Sequence, residues 1–410
     1  MKKIFNFALY DFANSAFTTI IITFIFATYF AKQIAPNPVL GQSYWGWTIG
    51  ITGFLVAIIG PISGSFADRK NKVVFFIRVF SLLCILFTTL LWFSKPSESY
   101  LLYTLVIVGT ANIFYELSLI FYNSLLKEIS TDKNLGKSSG FGFALGYIGG
   151  ILILLISIKL FIDTDSPPFG LTTEESQNIR AIPLLVSFWF LIFSVPFLFL
   201  VIKENKKKIS KNISSNFKDI KKLIWDKKIS TLGKFLIARM LYADGLNAII
   251  VMGGIFAVGV FNLEIKDLLK LSILMNITAF IGAFVGGIAN DKYGSKNVIV
   301  FSLIGLIFSS TIILFTFSAS TFFFIAAING LFIGPIQSAS RVVITSMLSK
   351  DNQGKGFGLF ATSGKLTSFL GPLLVSTVTF LTESQRIGFS AAIVLLLAGL
   401  IILLRIKKIS

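Results

Sequence analysis

An all-α transmembrane chain of twelve helices, built as two similar six-helix halves, is the architecture that the sequence predicts. Three observations lead there. Apolar runs of about twenty residues follow one another along nearly the whole chain. Basic residues collect in alternate connecting segments. A Gly-x-x-x-Asp pattern returns at the same ordinal position in each half.

Composition carries the first point. Of 410 residues, 54% are hydrophobic, 44 are Phe and only 14% are charged. The mean hydropathy is +0.82. A soluble chain has about 25% charged residues, so a large soluble protein with buried helices is a poor match. The runs give spans near 10–31, 44–66, 73–93, 101–124, 139–161, 181–201, 235–258, 268–290, 297–317, 321–345, 356–378 and 387–405. The first is too long for the apolar core of a signal peptide and has no clear cleavage site, so it reads as a span.

Charge carries the second. The formal net charge is +18. On a soluble protein it would suggest nucleic acid. Here no nucleic-acid partner is expected, because the charge is topological. Lys2, Lys3, Arg69, Lys70, Lys72, Lys127, Lys133, Lys137, Lys292, Lys296, Lys350, Lys355, Arg405, Lys407 and Lys408 share one set of segments. In the other set, Lys32, Lys95, Arg180, Lys266, Lys270 and Arg386 are offset by acidic residues. The positive-inside rule then puts both termini in the cytoplasm, which requires an even span count. Residues 203–234 form a basic linker between an N-terminal half, 1–202, and a C-terminal half, 235–410. Within the linker, Phe217–Trp225 suits a short amphipathic helix at an anionic membrane surface.

The repeat carries the third. Gly64, Asp68 and Arg69 follow the second span, and Gly287, Asp291 and Lys292 follow the eighth. The glycine permits close helix contact, and the aspartate can cap a neighbouring helix terminus, so these are candidate gating residues. A weaker echo is Asp11-x-x-Asn14 in the first span and Asp244-x-x-Asn247 in the seventh. Repeated halves suit alternating access. Gly142, Gly146, Gly149 and Gly150, and likewise Gly282, Gly286 and Gly287, offer close-packing faces.

Charges inside spans are costly and usually face an interior or a wet cavity. Arg78, Arg239 and Arg341 lie near span ends and are expected to snorkel. Asp11 lies near an inner end, where it suits a gate or a cap. Glu116, Asp244 and Lys365 are the deepest charges. Together with Asn14, Asn112, Tyr115 and Asn247 they make the candidate substrate and proton cavity. Asn112 and Glu116 share a helical face that suits an ammonium or a sugar hydroxyl, and Lys365 suits a carboxylate. A structural pair, such as Glu116 or Asp244 with Lys365, is the plainer alternative. The chain has no histidine, so a coupling proton would ride on Glu116, Asp244 or Asp11. No P-loop, metal cluster or nucleophile–base set is present in the sequence, so neither a cofactor nor an enzyme activity is expected. Cys84 stands alone and reads as packing.

At this point the chain resembles the major facilitator superfamily, through its two Gly-x-x-x-Asp-Arg/Lys segments. The first copy has Asn71 where that family commonly has Gly. A narrower likeness is to the branch that contains the fungal vacuolar amino-acid effluxer linked to autophagy, and its bacterial relatives. It rests on residues 10–16, 140–150, 242–245, Gly334 to Arg341 with Gln337, and Gly371-Pro372. The resemblance implies a twelve-helix secondary transporter of a small polar solute, with neutral amino acids or short peptides as the first class to test. The Lys/Ile-rich composition fits a bacterial inner membrane. A monomer in the lipid bilayer is the expected state. A lipid-handling flippase or a non-transport sensor on the same scaffold is the rival reading, and a channel the third.

Overall fold

The computed structural model describes residues 2–70, 72–164, 166–201, 221–226, 228–261, 263, 265–365, 367–368 and 370–407. Among them, twelve helical stretches are long and apolar enough to cross a membrane. Spans 1 to 6 are Lys2–Ile34, Tyr44–Ala67, Val73–Phe93, Glu98–Ile129, Leu135–Ile162 and Glu174–Phe199. Spans 7 to 12 are Thr231–Gly254, Lys270–Tyr293, Ser295–Phe315, Ala319–Met347, Lys350–Thr382 and Gln385–Arg405. The order agrees with the sequence reading throughout, and most ends run a few residues further. Polar ends continue a helix once its apolar middle has formed, because each added residue gains a backbone hydrogen bond. Large apolar side chains such as Phe301, Phe308, Phe324 and Phe380 stand exposed on the span surfaces, as lipid-facing residues do.

The contacts divide into two compact units. The first gathers the described residues of Met1–Val56, Asn71–Tyr122 and Leu145–Lys207. An aromatic stack ties spans 1, 4 and 6 together there: Phe7 on Tyr122 at 4.1 Å, Tyr10 on Tyr122 at 4.5 Å, and Phe197 edge-on at 5.4 Å from Tyr122. Glycines let span 5 lie against span 1. A Cβ on Gly150 would fall 2.8 Å from the Thr19 hydroxyl, and one on Gly149 would overlap the Phe12 carbonyl. Arg78 donates its Nε–H to the Leu198 carbonyl at 2.7 Å.

The second unit gathers the described residues of Ala57–Lys70, Asn123–Ala144 and Lys208–Ser410. Span 7 meets span 12 where a Cβ on Gly245 would lie 2.8 Å from the Ala392 carbonyl. Span 8 meets span 10 at Gly286, against Pro335. Pro335 sits inside span 10 without ending it. Gly294 takes φ 83 in the turn from span 8 to span 9, a conformation open to glycine without strain. Its counterpart Asn71 lies outside the described residues.

Span 11 is interrupted. Helix runs over Gln353–Lys365 and resumes over Leu370–Thr382, with Thr367 and Ser368 in turn geometry between them. Of the helix expected over Phe217–Trp225, residues 217–220 lie outside the described residues. Residues 221–224 are helical, but Trp225 departs from the expectation. It pairs with Ile229 in a two-stranded antiparallel ladder, and Ser230 then accepts from the Gly233 N–H at 3.0 Å to open span 7. A turn satisfied by Ser230 stops the helix before the membrane is entered.

Candidate functional site

In the first unit several polar candidates pair with one another, while Asn14 Nδ2 is buried with no hydrogen-bond partner among the described residues. Asp11 is buried and accepts a hydrogen bond from the Tyr122 hydroxyl at 2.8 Å. The Tyr115 hydroxyl donates to Asn14 Oδ1 at 3.3 Å. Asn112 donates to the Thr52 hydroxyl at 2.8 Å. Glu116 is half-buried in the same helix. This is a wall of amide and hydroxyl groups along spans 1, 2 and 4, with the two carboxylates Asp11 and Glu116 on the same helices.

In the second unit Asp244 is 2% exposed, on span 7. Thr367 and Arg239 are the polar groups beside its carboxylate. Asp244 Oδ1 and the Thr367 hydroxyl are both buried, and the hydroxyl stands where it can donate to the carboxylate. Asn247, one turn further on, donates to the Ser368 carbonyl at 2.9 Å. Asp244 and Asn247 therefore face the interruption of span 11. Lys365, half-buried, ends the helix that precedes it. Arg239 does not snorkel as expected. It donates to the Phe360 carbonyl and, at 2.6 Å, to the Ser363 hydroxyl, with its guanidinium 3.4 Å from the Phe360 ring centre.

The two units share an internal register that the Asp-x-x-Asn echo misses by one residue. Tyr10 of span 1 hydrogen-bonds Ser118 of span 4 at 3.0 Å, and Tyr242 of span 7 hydrogen-bonds Ser340 of span 10 at 2.7 Å. Two residues on, the Phe12 carbonyl meets Gly149 of span 5, and the Asp244 carbonyl meets Gly371 of span 11. Asp244 is thus the counterpart of Phe12, not of Asp11. Phe12 stacks on Trp189 at 5.0 Å. By the same glycine register Thr367, four residues before Gly371, stands where span 5 has Leu145. A one-residue step turns a helical side chain by about 100°, which is why Asp11 reaches Tyr122 while Asp244 reaches the break.

The candidate gating residues meet a different fate. A Cβ on Gly287 would fall 2.7 Å from the Gly136 carbonyl and 2.9 Å from Gly140 Cα. Asp291 accepts from the backbone N–H groups of Gly136 at 2.6 Å and Lys137 at 3.0 Å, at the opening of span 5. A carboxylate there complements the positive end of the helix dipole. Lys292 is exposed, 5.2 Å from the Tyr293 ring centre. Gly64 packs on the Gly354 carbonyl. The side chains of Asp68 and Arg69 lie outside the described residues.

Arg341 also departs from snorkelling, being 2% exposed. It donates to the Ser139 hydroxyl at 2.8 Å, the Ser139 carbonyl at 2.7 Å and Asn123 Oδ1 at 3.1 Å, with Phe143 stacked 4.3 Å away. Its planar fork suits several neutral acceptors at once, so burial is affordable without reaching water. Gln337, one turn earlier, is half-buried.

Sequence reasoning missed Tyr122, Thr367 and Lys127. Tyr122 lay within an aromatic-rich run that reads as packing. Thr367 lies between Gly364 and Gly371-Pro372, and those helix breakers were the signal that could have found it. In the sequence Lys127 is one more loop charge, yet it donates to the Thr345 and Leu348 carbonyls at 3.2 and 2.6 Å, at the end of span 10.

Twelve spans, buried polar groups on their inner faces and a matched register in two sets of helices define a polytopic protein of the major facilitator fold. Solved structures agree. The proton:xylose symporter XylE superposes with a TM-score of 0.76 at 13% identity, covering 98% of this chain and 94% of that one. A bacterial homologue of the iron transporter ferroportin, in its outward-facing state, gives 0.75 at 11%, covering 99% and 98%. The chain belongs to the family described as vacuole effluxer Atg22 like, which it matches over residues 33–408. The uncharacterized MFS-type transporter YxiO of Bacillus subtilis is 25% identical over 97% of this chain and 93% of its own length. Autophagy-related protein 22 of Yarrowia lipolytica is 25% identical over 66% of this chain and 51% of its own.

Proposed function

We propose that this protein is a secondary transporter of a small polar solute, a neutral amino acid or short peptide, working by alternating access. The observation that carries the reading is Asp244, a carboxylate buried in an apolar span beside an interrupted helix. A charge at such a place is expensive and is retained for ions or solutes, and broken spans are where transporters build their sites. Family membership supports the same reading, since the family description speaks of an effluxer. Asn14, Asn112, Tyr115 and Glu116 supply acceptors and donors for an ammonium. Asn247 and Lys365 supply them for a carboxylate. A proton on Glu116 or Asp244 would serve as the coupling ion, while Asp11, paired with Tyr122, holds spans 1 and 4 together. The halves are 1–202 and 235–410, joined by the basic linker 203–234, in a bacterial inner membrane with both termini cytoplasmic. The protein works as a monomer. Cysteines placed at Ser210 and Ser384 should label from opposite sides, and labelling from one side would refute that topology.

The test is flux in proteoliposomes against a panel of neutral amino acids, dipeptides, sugars and nucleosides, with and without a pH gradient. Saturable flux of an amino acid or dipeptide is expected. Lipid scrambling without solute flux would favour the flippase instead. Asp68 and Asp291 set the rate of conformational exchange rather than solute recognition. Asp291→Asn should slow flux about tenfold, the equivalent of about 1.4 kcal/mol, while solute affinity in detergent stays within twofold. Lost affinity with unchanged exchange would contradict that role.

A further inference from the structure

The shared register puts a buried amide in one unit where the other has a leucine. Asn14 stands four residues after Tyr10, and span 7 has Leu246 four residues after Tyr242. Both side chains are buried, Asn14 at 4% exposure and Leu246 at 7%. The Tyr–Ser hydrogen bonds and the glycine contacts beside them are the same in both units, so this packing accepts a leucine. Span 1 also leaves α geometry just beyond Asn14. Phe17–Phe24 is π-helical, whereas span 7 stays α-helical over Thr231–Phe261. Such wide turns are rare and frequently mark functional sites.

The orientation of the amide is set by its neighbour. The Tyr115 hydroxyl donates to Asn14 Oδ1 at 3.3 Å, and Tyr115 is itself buried, with its ring 4.9 Å from that of Phe17. What Asn14 has left is Nδ2, a donor buried with no hydrogen-bond partner among the described residues. An unmet buried donor is destabilising, and a leucine in its place avoids the penalty. A polar group kept under those terms inside a span points to a partner from outside the chain. Asn112 of span 4 is turned the other way. It gives an amide N–H to the Thr52 hydroxyl at 2.8 Å, which leaves its Oδ1 as an acceptor.

We propose that Asn14 is the residue that reads the carboxylate of the solute, with Nδ2 donating to a carboxylate oxygen. A hydrogen bond from an amide to an ionised acceptor is stronger than one to a neutral acceptor, and the low dielectric of a buried site strengthens it further. The inference rests on the transporter reading and sharpens it. It moves Asn14 from the ammonium end of the solute to the acid end, and leaves the ammonium to acceptors such as Asn112 Oδ1 and Glu116. Tyr115 is a positioning residue, acting through Asn14 by holding its oxygen.

The experiment measures binding to the full-length protein in detergent by thermal shift. The probes are leucine, alanine, serine and alanyl-alanine, each beside the amine that remains when its carboxylate is removed. Wild type should bind the best acid about tenfold or more tighter than its amine. Asn14→Leu should cut that preference about tenfold, through the acid, while amine affinity stays within about twofold. Asn14→Asp puts a like charge at the acid end and should turn the preference toward the amine. Tyr115→Phe should weaken the preference less, about threefold, because the amide remains but is no longer held. Should Asn14→Leu fold poorly, joining it to Tyr115→Phe removes both partners of one hydrogen bond, and that double variant should melt within about a few degrees of wild type. An unchanged acid-to-amine ratio in Asn14→Leu would overturn the assignment, as an internal water on Nδ2 or a carboxylate held by Lys365 alone would give. So would equal losses of acid and amine, the mark of a merely structural role, or a wild type that binds none of the acids. Acid binding that depends on Asn14, with no flux of any solute in the panel, would keep the site and sink the transport reading. Amino-acid flux with an unchanged acid preference in Asn14→Leu, or sugar flux without acid binding, would do the reverse.

Discussion

Asp11 and Asp244 look like equivalents in the sequence, each three residues before an asparagine near a tyrosine. In the structure they do different work. Asp11 sits among hydrogen-bond donors, with the Tyr122 hydroxyl 2.8 Å away, in a stack of aromatic rings. Asp244 has the Thr367 hydroxyl and the Arg239 guanidinium beside it and faces an interrupted helix. The first arrangement binds spans 1 and 4 to each other. The second sets a carboxylate of span 7 against the interruption of span 11. The two units share one packing scheme, and the polar substitution at Asp244 and the helix interruption occur where the shared contacts persist.

The comparison can be strained most by copying the change into the other unit. Phe12→Asp would place a carboxylate where Trp189 and Phe193 now stack. With no break in span 5 to receive it, the variant should lose about 3 kcal/mol or more, seen as a large drop in melting temperature. A Phe12→Asp protein as stable as wild type would mean that the register does not discriminate the two sites. Next in size come the paired glycines. Gly371→Ala and Gly149→Ala each push a methyl into a carbonyl of the facing span. Both should cost about 1–3 kcal/mol. Only Gly371→Ala should also impair flux beyond its stability loss, because only it displaces Asp244. Equal flux defects would erase the distinction. The smallest effect concerns the tyrosines. Tyr10→Phe and Tyr242→Phe should each cost about 1 kcal/mol, with Tyr10→Phe the worse because its hydroxyl serves both Ser81 and Ser118. Differential scanning of both variants would reveal a reversed order, and that order would break the proposed correspondence.

Twelve spans were legible because apolar runs near twenty residues have few other uses, and the Gly-x-x-x-Asp repeat pointed correctly to close helix contact at Gly287. The carboxylate of Asp291 does cap a neighbouring helix, as its position suggested. Other features were harder to see. The interruption at Thr367 and Ser368 is marked in the sequence only by its flanking helix breakers, above all Pro372, which lacks the N–H that would bond the Ser368 carbonyl four residues earlier. Arg341 was expected at a surface because its place near a span end invites snorkelling; three neutral acceptors and the Phe143 ring hold it inside instead. The Asp-x-x-Asn echo misled by a single residue. Spacing within a helix is visible in a sequence, but the rotation of that helix toward its neighbours is set by contacts such as Tyr242–Ser340 and Gly371–Asp244.

The most direct test of the account compares solute flux in proteoliposomes for wild type, Asp11→Asn and Asp244→Asn, using the amino acid or dipeptide that the panel identifies. Flux is divided by the amount of folded protein recovered. The account predicts that Asp244→Asn loses flux about 100-fold, the equivalent of about 2.7 kcal/mol for one buried charged contact, while Asp11→Asn stays within about threefold, the equivalent of about 0.7 kcal/mol. Equal losses in the two variants, or full flux in Asp244→Asn, would contradict it.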